Sequence, residues 1–180
     1  MVEDKILAWR FKKGSRTALQ RIYEKYYDYL LTVATALLHD VTAAEDVVHD
    51  IFLKLSESPR LLNPHRSLKW YLVACVSNRA RDRLRGRRHR TVGLGESLCL
   101  PSGVSGPVSA AICNEEMQLI SAALEQLPYE QREVVVLRTR GRMTFRAIAE
   151  LRQVSVRTIH SRYRYGLDKL GTLLNGQVKP

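Results

Sequence analysis

Long apolar runs are missing from this sequence. No stretch approaches the roughly 20 residues a membrane-spanning helix needs, so a membrane span is not expected. Cysteine is scarce: Cys75, Cys99 and Cys113 are odd in number, widely spaced and form no Cys-x-x-Cys pair. That argues against both a disulfide framework and a zinc site. The opening Met1-Val-Glu-Asp-Lys lacks the basic region and apolar core of a secretory signal, so a reduced, cytoplasmic protein is expected. Acidic residues are outnumbered, 18 Asp+Glu against 29 Lys+Arg, giving a net charge of +11. A polyanionic partner is the reading of that imbalance. The 180 residues suffice for one ordinary domain or two small ones, and 45% hydrophobic with 26% charged residues is a globular balance.

The charge is segregated along the chain. Residues 1–57 hold 8 basic and 9 acidic residues; 58–98 hold 10 and 2; 99–137 hold 1 and 5; 138–180 hold 10 and 2. Two basic blocks, each beside an acidic one, suggest two modules that each meet nucleic acid on one face. The blocks are rich in Arg, which suits phosphate and base-edge contacts better than Lys.

Helical periodicity dominates. Ile6, Trp9, Ala18, Ile22, Tyr26, Leu30, Val33 and Leu37 recur at helical spacing, with Gly14-Ser15 separating a first helix from a second and His39-Asp40 closing the second. Thr42 with Glu45 reads as a capping box for a third helix to Leu55, buried through Val47, Val48, Ile51, Phe52 and Leu55. Pro59 and Pro64 mark a loop. A fourth helix is expected over about Ser67–Arg85, apolar first (Leu68, Tyr71, Leu72, Cys75, Val76) and basic from Arg79. Residues 86–113 lose periodicity and collect five glycines, two prolines and several serines, so a flexible linker is expected there. The domain boundaries drawn from this are 1–90, 91–113 for the linker, and 114–180. Beyond it, helices are expected over Glu115–Leu127, Tyr129–Arg140, Thr144–Arg152 and Val156–Leu174. Val134-Val135-Val136 could suggest a strand, but its polar flanks and the stops on both sides favour a buried helix. The fold class is therefore all-α, with two small helical domains.

Thr144–Ile159 has the makings of a helix-turn-helix. Ala149 supplies the small residue at the helix crossing. Ile148, Leu151, Val154, Val156, Ile159 and Tyr163 supply the inward faces, and Ser155 an N-cap for the second helix. That helix projects Arg157, Thr158, His160, Ser161, Arg162 and Arg164, with its N-terminal end aimed at a major groove. A second motif, Asn78–Arg90, packs seven arginines into thirteen residues; Trp70, Tyr71 and Asn78 just before them make contact with unpaired bases plausible. Asp82 is placed to pair with a neighbouring Arg. A third, Ala44–Leu55, exposes Asp46, His49, Asp50 and Lys54. On sequence physics alone it is an ordinary amphipathic helix. Asp46, His49 and Asp50 lack a fourth ligand for a metal, and no cofactor is called for.

Acidic helix, Asn-Arg-rich helix, linker, helical hairpin and helix-turn-helix, in that order, resemble a bacterial RNA polymerase sigma factor of the small, two-domain extracytoplasmic-function (ECF) type. Leu124-Glu125-Gln126-Leu127-Pro128-Tyr129-Glu130-Gln131-Arg132-Glu133-Val134-Val135-Val136-Leu137-Arg138 is a close match to the opening of that family's region four, and Thr144–Leu170 to its helix-turn-helix. The resemblance implies a non-enzymatic protein that binds core polymerase and directs promoter recognition, melting and initiation. It implies polymerase docking by Asp46, His49, Asp50, Phe52 and Lys54. It implies minus-ten reading by Tyr71, Asn78, Arg79, Asp82 and Arg83, and minus-thirty-five reading by Ser155, Arg157, Thr158, His160, Ser161, Arg162 and Arg164. Core polymerase and promoter DNA are the implied partners; an anti-sigma protein, which holds many family members inactive, is a further candidate. His49 stands where the family usually has Gln, Tyr71 where it has Trp, and Ala147 where a Glu is common. Gln153 stands where it has Gly, and Gly141-Arg142 where it has Glu-Gly.

Two rivals come from other classes. A stand-alone helix-turn-helix regulator would usually dimerise over two half-sites, yet no dimerising coiled coil is evident and the first module would have no task. A nuclease or recombinase would need clustered carboxylates or a supported nucleophile; Asp46 and Asp50 have no partner cluster.

Overall fold

The computed structural model describes residues 2–58, 67–91 and 109–177. These residues form helices α1 (Val2–Lys12), α2 (Arg16–Leu38), α3 (Val41–Glu57), α4 (Leu68–Thr91), α5 (Ser109–Glu125), α6 (Tyr129–Thr139), α7 (Phe145–Arg152) and α8 (Val156–Gln177), with no strand among them. They divide into two compact units, α1–α4 and α5–α8.

In the first unit α2 is the central element, packed against α1, α3 and α4. Ser15 caps it by accepting from the Ala18 N–H, and His39 ends it in the left-handed region at φ 54°. Its buried face is Ala18, Ile22, Tyr26, Leu30, Val33, Ala34, Leu37 and Leu38. Each large aliphatic side chain so buried contributes roughly 1.5–3 kcal/mol. The expected stripe of α3 is in the core, joined by Ala43 and Ala44. Its cap is Asp40, whose carboxylate accepts from the Ala43 N–H at 2.9 Å, rather than Thr42. The helix thus starts before Thr42, because the more strongly capping Asp stands in the extended conformation that an N-cap requires.

The register of α1 also differs from expectation. Leu7, Ala8 and Phe11 face the core, while Ile6 and Trp9 face outward. Helix α4 runs six residues past Arg85 and α5 begins at Ser109, so Thr91 and 109–113, expected in the linker, are helical. The rest of that expected linker, and the Pro59–Pro64 loop, lie outside the described residues.

In the second unit α6 packs against α7 and α8. That explains six consecutive buried residues, Arg132 to Leu137, which a helix covered on one side cannot have. At Gly166 of α8, an added Cβ would lie 2.9 Å from Val135 Cγ2, so glycine permits the close approach of α6 and α8. After α6 the chain reverses at once. A Cβ on Gly141 would fall 2.6 Å from the Leu137 carbonyl oxygen, and Arg142 takes φ 50°. The glycine of the family's Glu-Gly is thus displaced by one residue, and Arg142 bears the left-handed conformation at a cost of about 1–2 kcal/mol.

Candidate polymerase and nucleic-acid interfaces

Helices α3 and α4 bring together most of the side chains the sequence singled out. Asp46 and Asp50 are one turn apart on α3; Arg79 and Arg83 are one turn apart on α4. They meet in antiparallel order. Arg79 donates through Nε (3.1 Å) and Nη2 (2.5 Å) to Asp50 Oδ2, and Arg83 Nη2 donates to Asp46 Oδ2 (2.9 Å). These pairs are partly exposed, so water screens them. The expected docking helix and the expected minus-ten helix therefore share a two-rung charge ladder. Within this site, the carboxylates that hold Arg79 and Arg83 come from α3, a contact sequence spacing could not show.

A cleft of about 220 Å³ opens beside the ladder, lined by Asp50, Ile51, Lys54, Leu55, Tyr71, Cys75, Asn78, Arg79 and Asp82. Four of the five expected minus-ten residues line it, together with two expected docking residues. Burial first, and then the neighbouring Cys75, push the Tyr71 hydroxyl well above its ordinary range. Burial also pushes the Cys75 thiol up, against a lowering hydrogen bond with Tyr71. Both groups therefore stay protonated near neutrality and offer neutral polar atoms within a charged rim.

The outer face of α3 carries Asp46, His49 and Lys54 as expected, and adds Leu53, 60% exposed. Phe52 corrects the docking set. It is only 6% exposed and meets Tyr23 edge-on at 4.9 Å, so it supports this face from within rather than contacting a partner. His49 joins the same aromatic group, its Nε2 3.3 Å from the Tyr23 hydroxyl and its ring 5.7 Å from Tyr27. Among the described residues no three His, Cys, Asp or Glu side chains stand together as a metal site.

In the second unit α7 and α8 form the helix-turn-helix. Thr144 caps α7 through the Ala147 N–H, and Ser155 accepts from the Thr158 N–H at 3.0 Å. Gln153 takes the turn at φ 53°, ψ 42°, the left-handed conformation where the family usually has Gly. Ile148, Ala149 and Ile159 are buried at the crossing. Val156, expected to face inward, is 40% exposed, because it opens α8 on the solvent side of the crossing. Arg157, His160 and Arg164 are exposed; Thr158, Ser161 and Arg162 are half-buried. The Thr158 hydroxyl lies 2.8 Å from Ser155 Oγ. His160 rests on Phe145 with ring centroids 4.1 Å apart, and Phe145 also meets Tyr163 (5.1 Å) and the Arg138 guanidinium (4.8 Å).

Sequence reasoning missed what holds this unit rigid. Arg152, at the end of α7, pairs with Glu133 of α6 at 2.6 Å, the two side chains 5% and 1% exposed. The Tyr129 hydroxyl donates to the same carboxylate oxygen at 3.0 Å. The pair ties the end of α7, where the turn begins, to α6.

Two family models match the chain: Sigma-70 region 2 over residues 22–90, and Sigma-70, region 4 over residues 117–170. The sequence is 27% identical over 168 residues to the RNA polymerase sigma factor CarQ of Myxococcus xanthus, covering 92% of this chain and 94% of CarQ. It is 24% identical to the ECF RNA polymerase sigma factor SigW of Bacillus subtilis, covering 88% and 90%. The fold is similar to that of CnrH solved with the cytosolic domain of CnrY, at TM-score 0.71 and 22% identity over 97% of this chain and 99% of that one. It is also similar to that of the sigma factor RpoE solved with the anti-sigma factor NepR from Bartonella quintana, at TM-score 0.69 and 21% identity over 88% and 97%.

Proposed function

The chain belongs to the RNA polymerase sigma factors of the ECF type, with region 2 followed by region 4, and from that premise we propose how its residues divide the work. A sigma factor binds core RNA polymerase and directs it to promoter DNA, where transcription initiates. Asp46, His49, Asp50, Leu53 and Lys54 dock on the polymerase, with Phe52 bracing them. Tyr71, Asn78, Arg79, Asp82 and Arg83 capture unpaired bases of the minus-ten element at the cleft beside Asp50. Arg157, Thr158, His160, Ser161, Arg162 and Arg164 read the minus-thirty-five element, with Ser155 fixing the start of their helix.

The observation that carries this division is the charge ladder. It joins the face proposed for docking to the helix proposed for strand capture, and α3 and α4 pack on each other, so docking and capture share one surface. Weak DNA affinity of the free protein is expected, because two small basic surfaces act together only when their spacing is fixed. The role is that of a non-enzymatic initiation factor. No helix among the described residues is long and apolar enough to cross a membrane, and we place the protein in the cytoplasm. An anti-sigma protein is a proposed third partner, by extension from the neighbour solved with NepR.

Run-off transcription with sigma-free core polymerase over a random promoter library tests the reading. The expected result is initiation at promoters sharing two elements at fixed spacing. Tight binding to duplex DNA without core polymerase, and no initiation with it, would favour a stand-alone regulator.

A further inference from the structure

The near-neutral balance of the first 57 residues conceals a local excess. From Lys5 to Arg21 there are six basic residues, Lys5, Arg10, Lys12, Lys13, Arg16 and Arg21, and no acidic one. All six are exposed, on α1, the turn that follows it and the first turns of α2. The carboxylates just outside the run offset them only in part: residues 3–25 hold seven basic and three acidic residues, a net +4. Lys25 holds both Glu3 (2.6 Å) and Asp4 (2.9 Å), and Glu24 accepts from Gln20 at 2.9 Å. Amid these cations stands Trp9, 52% exposed. The core does not use it, since Leu7, Ala8 and Phe11 fill the inner side of α1. The Lys13 ammonium lies 4.0 Å from the centroid of its ring, a cation–π contact that occupies one face. A planar ring has a second face.

We propose that α1 and the start of α2 form a third nucleic-acid surface, which takes single-stranded DNA, with Trp9 as the platform on which a base stacks and the six cations as its phosphate contacts. Cations along a path with an exposed aromatic among them are the combination that binds single strands. A duplex keeps its base faces inside the stack, so an indole face has little to offer it. An anionic membrane fits less well. An interfacial helix needs a broad apolar face, whereas Leu7, Ala8 and Phe11 of α1 are committed to the core and, among residues 3–12, the large apolar side chains outside are Ile6 and Trp9. The strand would be promoter DNA that the sigma factor has opened, so its biological source rests on the functional reading above; the binding chemistry does not.

The test is fluorescence anisotropy of labelled oligo-dT with the full chain. Arg79→Gln and Arg83→Gln weaken the α4 surface equally in every sample, so differences between samples report on α1 and α2. In that background Trp9→Ala is expected to weaken binding by about 5- to 150-fold and Trp9→Phe to restore most of it, since base stacking tolerates ring type. Replacing Lys12 and Lys13 by Gln should reduce the slope of log affinity against log salt by about 0.7 per lost phosphate contact. Far-UV circular dichroism of each variant should match the parent, because the altered side chains are exposed. Equal oligo-dT binding by parent and Trp9→Ala overturns the proposal. So does stronger binding of oligo-rU than oligo-dT, or a Trp9 effect confined to phosphatidylserine vesicles. Run-off transcription separates the two claims: initiation without any Trp9 effect on oligo-dT sinks the surface alone, and a Trp9 effect without initiation sinks the sigma reading alone.

Discussion

Removing Arg152 exposes how much the second unit depends on one buried contact. Arg152→Leu leaves the Glu133 carboxylate, 1% exposed, without its counterion 2.6 Å away. Losing one partner of a buried pair costs about 3–5 kcal/mol, because the survivor is an uncompensated charge. At roughly 0.05–0.15 kcal/mol per residue, a unit of this size has only about 3–10 kcal/mol in total. The single substitution should therefore unfold much of it near physiological temperature. Glu133→Leu should do the same with the opposite charge stranded. The double variant, Glu133→Leu with Arg152→Leu, strands neither charge. Its remaining cost is the Tyr129 hydroxyl, which loses its acceptor at 3.0 Å but is only half-buried and can turn toward water. The double variant should sit within about 2 kcal/mol of the parent, giving a coupling energy of several kcal/mol. Equilibrium urea unfolding of the full chain measures it. Both tryptophans, Trp9 and Trp70, belong to the first unit, so fluorescence follows that unit while far-UV circular dichroism follows both. The lesion should appear in the dichroism and not in the fluorescence. A loss below about 1 kcal/mol for Arg152→Leu, or a double variant no better than the worse single, would refute the reasoning.

Four further outcomes follow. Asp50→Arg should weaken polymerase binding and also place like charges beside Arg79; combining it with Arg79→Asp should recover about 0.2–1 kcal/mol of stability, the range for exposed pairs, in urea titration. In a promoter-library selection at two salt concentrations, Arg157→Ala should alter the preferred upstream base at one or two positions, costing about 1–3 kcal/mol there. Arg164→Ala should instead weaken all promoters alike and flatten the salt dependence. Because burial raises the Cys75 thiol, its thiolate fraction at neutral pH is smaller than that of a free cysteine and grows as pH rises; residue-resolved alkylation followed by mass spectrometry should find it slow at pH 7 and faster in alkali. Limited proteolysis should cut first between 92 and 108 and leave two helical fragments, and early cutting within α2 or α6 would contradict independent modules.

What the sequence revealed depended on how far apart the deciding residues lie. The α3 stripe was legible because a helix with one buried face writes its burial at helical spacing. The helix-turn-helix was legible because its small crossing residue, its cap and its turn are local, and the resemblance pointed to a left-handed turn at Gln153. In α1 apolar residues lie on two sides, so Ile6 and Trp9 fit a helical stripe as well as Leu7 and Phe11 do; packing on α2 decides between them. Asp40 and Thr42 both offer a capping oxygen, and only the backbone shows which is used. The charge ladder joins residues 29 and 37 positions apart, and no period in the sequence encodes that. Arg152 reads as one more cation of a basic block until Glu133 is seen beneath it.

The ladder has a consequence for genetics. Allele-specific suppression is usually taken as a sign that two proteins touch. Here a defect at Asp50 would be suppressed by a compensating change at Arg79, and one at Asp46 by a change at Arg83, within a single chain. A screen for suppressors of an Arg79 defect would also return Asp50 alleles that never meet DNA. Only suppressors that still act when both rungs are replaced by uncharged residues would identify a true partner surface.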